Sequence, residues 1–97
     1  MAAISVASFY QFTALTELNR RREQLAEFGS ARALSGTILL ASEGINATVA
    51  GHDAAIAELR AWLTADVGFS ALSWKQTTTE ISPFRHWKVR IKPEIVS

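Results

Sequence analysis

Residues 36–51 read Gly-Thr-Ile-Leu-Leu-Ala-Ser-Glu-Gly-Ile-Asn-Ala-Thr-Val-Ala-Gly: two β-prone segments joined by a short polar corner. Such segments around a glycine-containing corner fold as an antiparallel hairpin. This narrows the choices for the whole chain, because a hairpin must bury one face against something else. The glycine alone would suffice for the turn. Ser42, Glu43 and Asn46 crowd around Gly44, and their side chains require a second explanation. Local turn bonding is one, since Asn tolerates left-handed backbone and bonds its own loop; a role as acid or base for Glu43 is another.

The remaining segments supply the partners. Ile4 to Phe12 is rich in β-branched and aromatic residues and reads as a buried first strand. Thr13 is placed to cap a helix in which Leu15, Leu18, Leu25 and Phe28 recur at helical spacing, with Arg20, Arg22, Glu23 and Glu27 on the wet face and Gly29 just past its end. After the hairpin, His52 or Asp53 opens a second helix with the stripe Ile56, Leu59 and Leu63, closed by Asp66 and Gly68. Phe69 to Trp74 is ambiguous, and Lys75 to Pro83 reads as a polar, Thr-rich loop. Arg85 to Ile91 alternates as a last strand. The order βαββαβ predicts an α+β, ferredoxin-like sandwich: two helices on one face of a four-stranded antiparallel sheet. In such a sheet strand two is an edge and strand three lies inside, beside strand one. Glu43 and Asn46 then stand at a rim.

A chain of 97 residues, 48% hydrophobic, suits a single domain over 1–97 with one modest core. It contains no cysteine, which excludes disulfides, thiolate metal sites and a cysteine nucleophile and suits a reducing compartment. No apolar run approaches the roughly 20 residues of a membrane span, and the first dozen residues lack a secretory pattern. A cytoplasmic location is the expectation.

Charge is distributed unevenly. Residues 1–69 carry five arginines against seven carboxylates, a net charge of −2; residues 70–97 carry five cations against two carboxylates, a net charge of +3. On the last strand, alternation puts His86, Lys88, Arg90 and Lys92 on one face and turns Trp87, Val89 and Ile91 toward the helices. Such a ribbon matches a phosphate backbone, although a half-exposed strand also uses cations merely to stay wet. Trp74 and Trp87 are aromatic neighbours able to stack on bases, with Trp87 assigned to the core by alternation.

Catalytic patterns are absent. His52 and His86 are the only imidazoles, and neither has metal-ligand spacing. Gly36, Gly44 and Gly51 are too dispersed for a phosphate loop. The Asn46-Ala47-Thr48 glycosylation triplet has no secretory context. No metal or cofactor is expected.

Three strings then carry a family resemblance: Ser8-Phe9-Tyr10-Gln11-Phe12, the Ala-Ser-Glu-Gly-Ile-Asn-Ala-Thr-Val-Ala-Gly core of the hairpin, and Pro83-Phe84-Arg85-His86-Trp87-Lys88-Val89-Arg90-Ile91-Lys92-Pro93-Glu94-Ile95-Val96. In this order they resemble the N-terminal domain of the rhodanese-domain-containing tRNA uridine hydroxylases. The resemblance implies an acylphosphatase-like domain preceding a rhodanese-like domain that holds the family's reactive cysteine. It also implies a parent oxidoreductase that hydroxylates the wobble uridine of tRNA, with no catalytic residue on this fragment. The expected partners are tRNA and the downstream domain, and the expected RNA contacts are Lys75, Arg85, His86, Lys88, Arg90 and Lys92, with Glu43, Gly44 and Asn46 as the family turn. The alternative is a module that docks on the downstream domain without touching RNA. Acylphosphatase activity itself is not expected, because Gln11-Phe12-Thr13-Ala14-Leu15 offers neither a glycine-rich loop nor an arginine for a phosphate.

Overall fold

The computed structural model describes residues 3–95. Strand β1 (Ile4–Phe12) leads to helix α1 (Leu18–Ala31), the hairpin β2 (Ser35–Ala41) and β3 (Gly44–His52), helix α2 (Asp53–Thr64), a 3-10 turn at Val67–Phe69, and strands β4 (Ser73–Thr79) and β5 (Trp87–Ile91). The strands form one sheet in the order β4-β1-β3-β2-β5, antiparallel throughout except where β5 pairs parallel to β2.

The predicted four-stranded antiparallel sheet is therefore a five-stranded mixed one. The extra strand is β4, drawn largely from the segment read as loop. It pairs with β1 from Ile4↔Thr79 to Tyr10↔Ser73. Only Trp74 and Thr79 are even half-buried along it, so an edge strand held by its backbone ladder and β-branched threonines leaves no apolar alternation to read. The last strand is consequently fifth, shorter than expected, and sits at the opposite edge. Reaching it in parallel requires a crossover past the sheet, and β2 becomes internal. The placement of β3 beside β1 is as expected.

One side of the sheet packs under both helices. Phe9, Ile38, Leu40, Ile45, Val49, Ile56 and Leu59 are at most 1% exposed, and register pairs such as Phe9↔Ala47 and Ile38↔Ala47 stack them in rows across the strands. The α2 stripe is Ala55, Ile56, Leu59 and Leu63. Asp53 in its first turn accepts the Ser5 hydroxyl at 3.0 Å and the Gln76 amide at 3.3 Å, tying the helix to β1 and β4.

Helix α1 differs from expectation at both ends. Thr13 does not cap it. The Thr13 and Leu15 amides donate instead to the Glu43 and Ser42 carbonyls, at 2.9 and 3.0 Å, and the helix begins only at Leu18 after a left-handed Glu17. Gly29 lies within the helix, not beyond it, and the position takes a glycine because the Trp87 indole rests on it: a Cβ there would lie 2.0 Å from the indole Cε2. The same indole donates to the Leu25 carbonyl at 3.2 Å, anchoring β5 under α1.

Candidate nucleic-acid interface

Among the described residues, the other side of the sheet carries no helix. Strand alternation and register define its surface. One row runs Lys75–Ser8–Thr48–Thr37–Lys88, a continuous line across all five strands. The next runs Ser73–Tyr10–Asn46–Leu39–Arg90. At about 4.8 Å per strand step, Lys75 and Lys88 stand roughly 19 Å apart on backbone. Hydroxyls occupy the middle of the first row, where Ser8 and Thr48 approach to 3.4 Å. No carboxylate occupies a register position on this face.

The expected cations divide accordingly. Lys88 and Arg90 project from β5 on the open face, as alternation requires, and Lys75 reaches the same face from the far edge. Arg85 and His86 precede the strand and Lys92 follows it, so five of the six cations lie along the β5 edge and Lys75 lies on the opposite one. All six side chains are exposed. Among the described residues, ion pairs form only elsewhere: Arg20–Glu17, Arg21–Asp66 and Arg32–Glu58, at 3.3, 3.1 and 2.7 Å.

Neither candidate stacking aromatic is available. Trp74 lies on the core side, stacked on Phe9 with centroids 4.6 Å apart, and Trp87 is under α1, on the side that alternation assigned it. The open face presents Tyr10 and Phe12 instead, 50% and 59% exposed. Reading β1 as wholly buried hid them. Their alternation with buried Phe9 was the available signal.

Two segments cross this face at its ends. The β4–β5 crossover touches β2 through Ser82 and Ser35, whose hydroxyls meet at 3.0 Å. Its Phe84 walls a groove of about 210 Å³ over Thr37, Leu39, Asn46 and Thr48. The segment after β5 returns over the hairpin turn. Glu43 Oε1 accepts the Ile95 amide at 2.8 Å and Asn46 Nδ2 donates to the Ile95 carbonyl at 3.2 Å, leaving the Ile95 side chain 3% exposed. Gly44, at φ 153°, makes room: a Cβ there would lie 2.2 Å from the Gln11 carbonyl oxygen and 3.0 Å from Ile95 Cδ1. The polar crowding at the corner is thus not local turn bonding but a two-point clamp on the chain 49 to 52 residues later.

A cavity of about 380 Å³ lies on the helix side, lined by Leu25, Trp62, Leu63 and Phe69 together with the Arg21–Asp66 pair. Asp66 is held below the usual aspartate range, first by the Gly68 amide at 2.9 Å and then by Arg21. Among the described residues, no three His, Cys, Asp or Glu side chains gather as metal ligands, and no helix is long and apolar enough to cross a membrane. The β1–α1 connection, where a phosphate loop would sit, has its Thr13 and Leu15 amides bonded to the hairpin turn. Those donors are already used.

Comparison with known proteins matches residues 4–95 to a family described as the UPF0176 acylphosphatase-like domain. Similar curated proteins include two named tRNA uridine(34) hydroxylase. The one from Synechocystis is 44% identical over 98% of this chain and 34% of its own length; that from Deinococcus radiodurans is 47% identical over 96% and 31%. The chain spans about a third of the length of these relatives. Among solved structures, the BLUF domain of BlrP1 superposes with a TM-score of 0.77 at 10% identity, over 94% of this chain and 65% of that one. An acylphosphatase from Coxiella burnetii superposes with a TM-score of 0.64 at 14% identity, over 92% and 94%. At such identities the likeness is one of fold.

Proposed function

Because the chain belongs to the UPF0176 acylphosphatase-like domain family, we propose that it is the RNA-holding part of a tRNA-modifying hydroxylase, presenting tRNA to a rhodanese-like domain that follows it in the cytoplasmic parent protein. Chemistry belongs to that neighbour. The relatives' shared name supplies the substrate class, and one observation supplies the surface: Lys75, Lys88 and Arg90 flank a sheet face with no carboxylate at its register positions, and have no ion-pair partner among the described residues. Cations of this kind hold a polyanion through counterion release. Arg85, His86 and Lys92 extend the same positive edge. Gel-shift titration with tRNA at two salt concentrations tests it. Binding should weaken steeply with salt, and Lys88→Ala with Arg90→Ala should flatten the slope by about one unit for each phosphate no longer neutralised. No binding at low salt, or indifference to both substitutions, removes the proposal.

The clamp on Ile95 favours a second reading, in which this domain docks on the downstream one without touching RNA. Glu43 and Asn46 fix the direction of the chain where it leaves the sheet. Hydrogen exchange of the 97-residue chain against the full-length protein separates the two. Extra protection across β1 and β3 in the full-length protein without RNA favours docking.

A further inference from the structure

Resting on the RNA-holding reading, we infer that the open sheet face takes unpaired nucleotides, with Tyr10 and Phe12 as stacking platforms for their bases. The two rings are adjacent on one strand face, with centroids 6.4 Å apart at 76°, and are 50% and 59% exposed. On the helix side the large aromatics are engaged. Phe9 stacks on Trp74, Phe28 stacks on Trp62, and guanidinium groups of Arg21, Arg32 and Arg60 cover Phe69, Phe28 and Trp74. Among the described residues, Tyr10 and Phe12 have no ring or guanidinium partner but each other, on a face flanked by cations.

The surroundings fit a single strand better than a duplex or a protein. In an A-form duplex the bases are stacked on one another and offer no face to a side chain, whereas splayed bases stack on aromatic rings. Register places the hydroxyls of Ser8, Thr48 and Thr37 in the row next to Tyr10, so hydrogen-bonding groups lie beside the platform where base edges would fall. Lys75 on one flank and Lys88 with Arg90 on the other supply phosphate contacts to both sides. Protein interfaces, by contrast, deplete charge at their centres and match opposite signs. Here the charged side chains in the two central rows are all positive.

The test is fluorescence anisotropy of the 97-residue chain with three labelled probes: a short oligouridine, a duplex RNA of equal length, and a ribose-phosphate strand without bases. Oligouridine should bind more tightly than the other two. Tyr10→Ala with Phe12→Ala should weaken oligouridine roughly ten-fold or more, while leaving the baseless strand and the salt slope unchanged. Both rings are largely exposed, so thermal melting should shift little, and Tyr10→Phe should bind like the parent. If the three probes bind alike and only Lys88→Ala and Arg90→Ala weaken them, the stacking inference is overturned and the polyanion reading stands. If the unsubstituted chain binds no probe at low salt, both fall and the face is left to a protein partner.

Discussion

The two faces of this molecule handle positive charge in opposite ways. On the helix side, four of five arginines are engaged. Arg20, Arg21 and Arg32 pair with carboxylates, and Arg60 covers the Trp74 ring, leaving Arg22 without such a partner among the described residues. On the sheet side and its edge, Lys75, Arg85, Lys88, Arg90 and Lys92 have no carboxylate within salt-bridge reach among the described residues. Pairing spends a cation on the fold; leaving it unpaired keeps it for a partner. The helix face is therefore read as the structural half and the sheet face as the binding half.

That division is most open to attack in the core. Leu59→Ala on the buried side of α2 should cost about 2–5 kcal/mol in denaturant unfolding, whereas Lys88→Ala on the open face should stay within about 0.5 kcal/mol. Comparable losses would break the distinction. Gly29→Val comes next, at about 1–3 kcal/mol. Its side chain displaces the Trp87 indole, and because Trp87 begins β5, this substitution should also disturb the cationic edge, visible as a changed RNA salt slope.

Smaller effects sharpen the picture. Glu43→Ala removes an exposed residue's bond to the Ile95 amide and should cost about 1 kcal/mol, with hydrogen exchange at Ile95 accelerated more than at β2 or β3. Unchanged exchange would mean the clamp does not hold the chain in solution. Asp66→Asn should also cost little, under about 1 kcal/mol for an exposed ion pair. Because folding lowers the Asp66 pKa, its contribution is present above the unfolded value near 4 and is lost as pH falls through the folded value. The variant should therefore differ from the parent at neutral pH and match it in strong acid.

The sequence disclosed the elements that bury apolar stripes and concealed those that do not. Ile56, Leu59 and Leu63 announced α2, and the hairpin announced β2 and β3. Strand β4 carries Lys-Gln-Thr-Thr-Thr at a sheet edge, where backbone hydrogen bonds do the work of side chains, so periodicity had nothing to register. Missing β4 left β2 read as an edge when β5 covers it. Lys88 and Arg90 were correctly placed on a wet face, but that Lys75 shares their row became visible only through the register of four strand pairs. Tyr10 and Phe12 were hidden by composition, since an apolar strand was read as buried on both sides. The Glu43 and Asn46 clamp depends on Ile95, some fifty residues away, a contact that local turn rules do not reach.

The most direct test of the division between faces is the salt dependence of tRNA binding in two triple variants. One changes Lys75, Lys88 and Arg90 to alanine; the other changes Arg20, Arg22 and Arg60. The sheet-side variant should weaken binding and flatten the slope of log K against log salt by two to three units, at roughly one per phosphate contact. The helix-side variant should keep the parent slope. Equal flattening in both, or flattening only in the helix-side variant, would contradict the account.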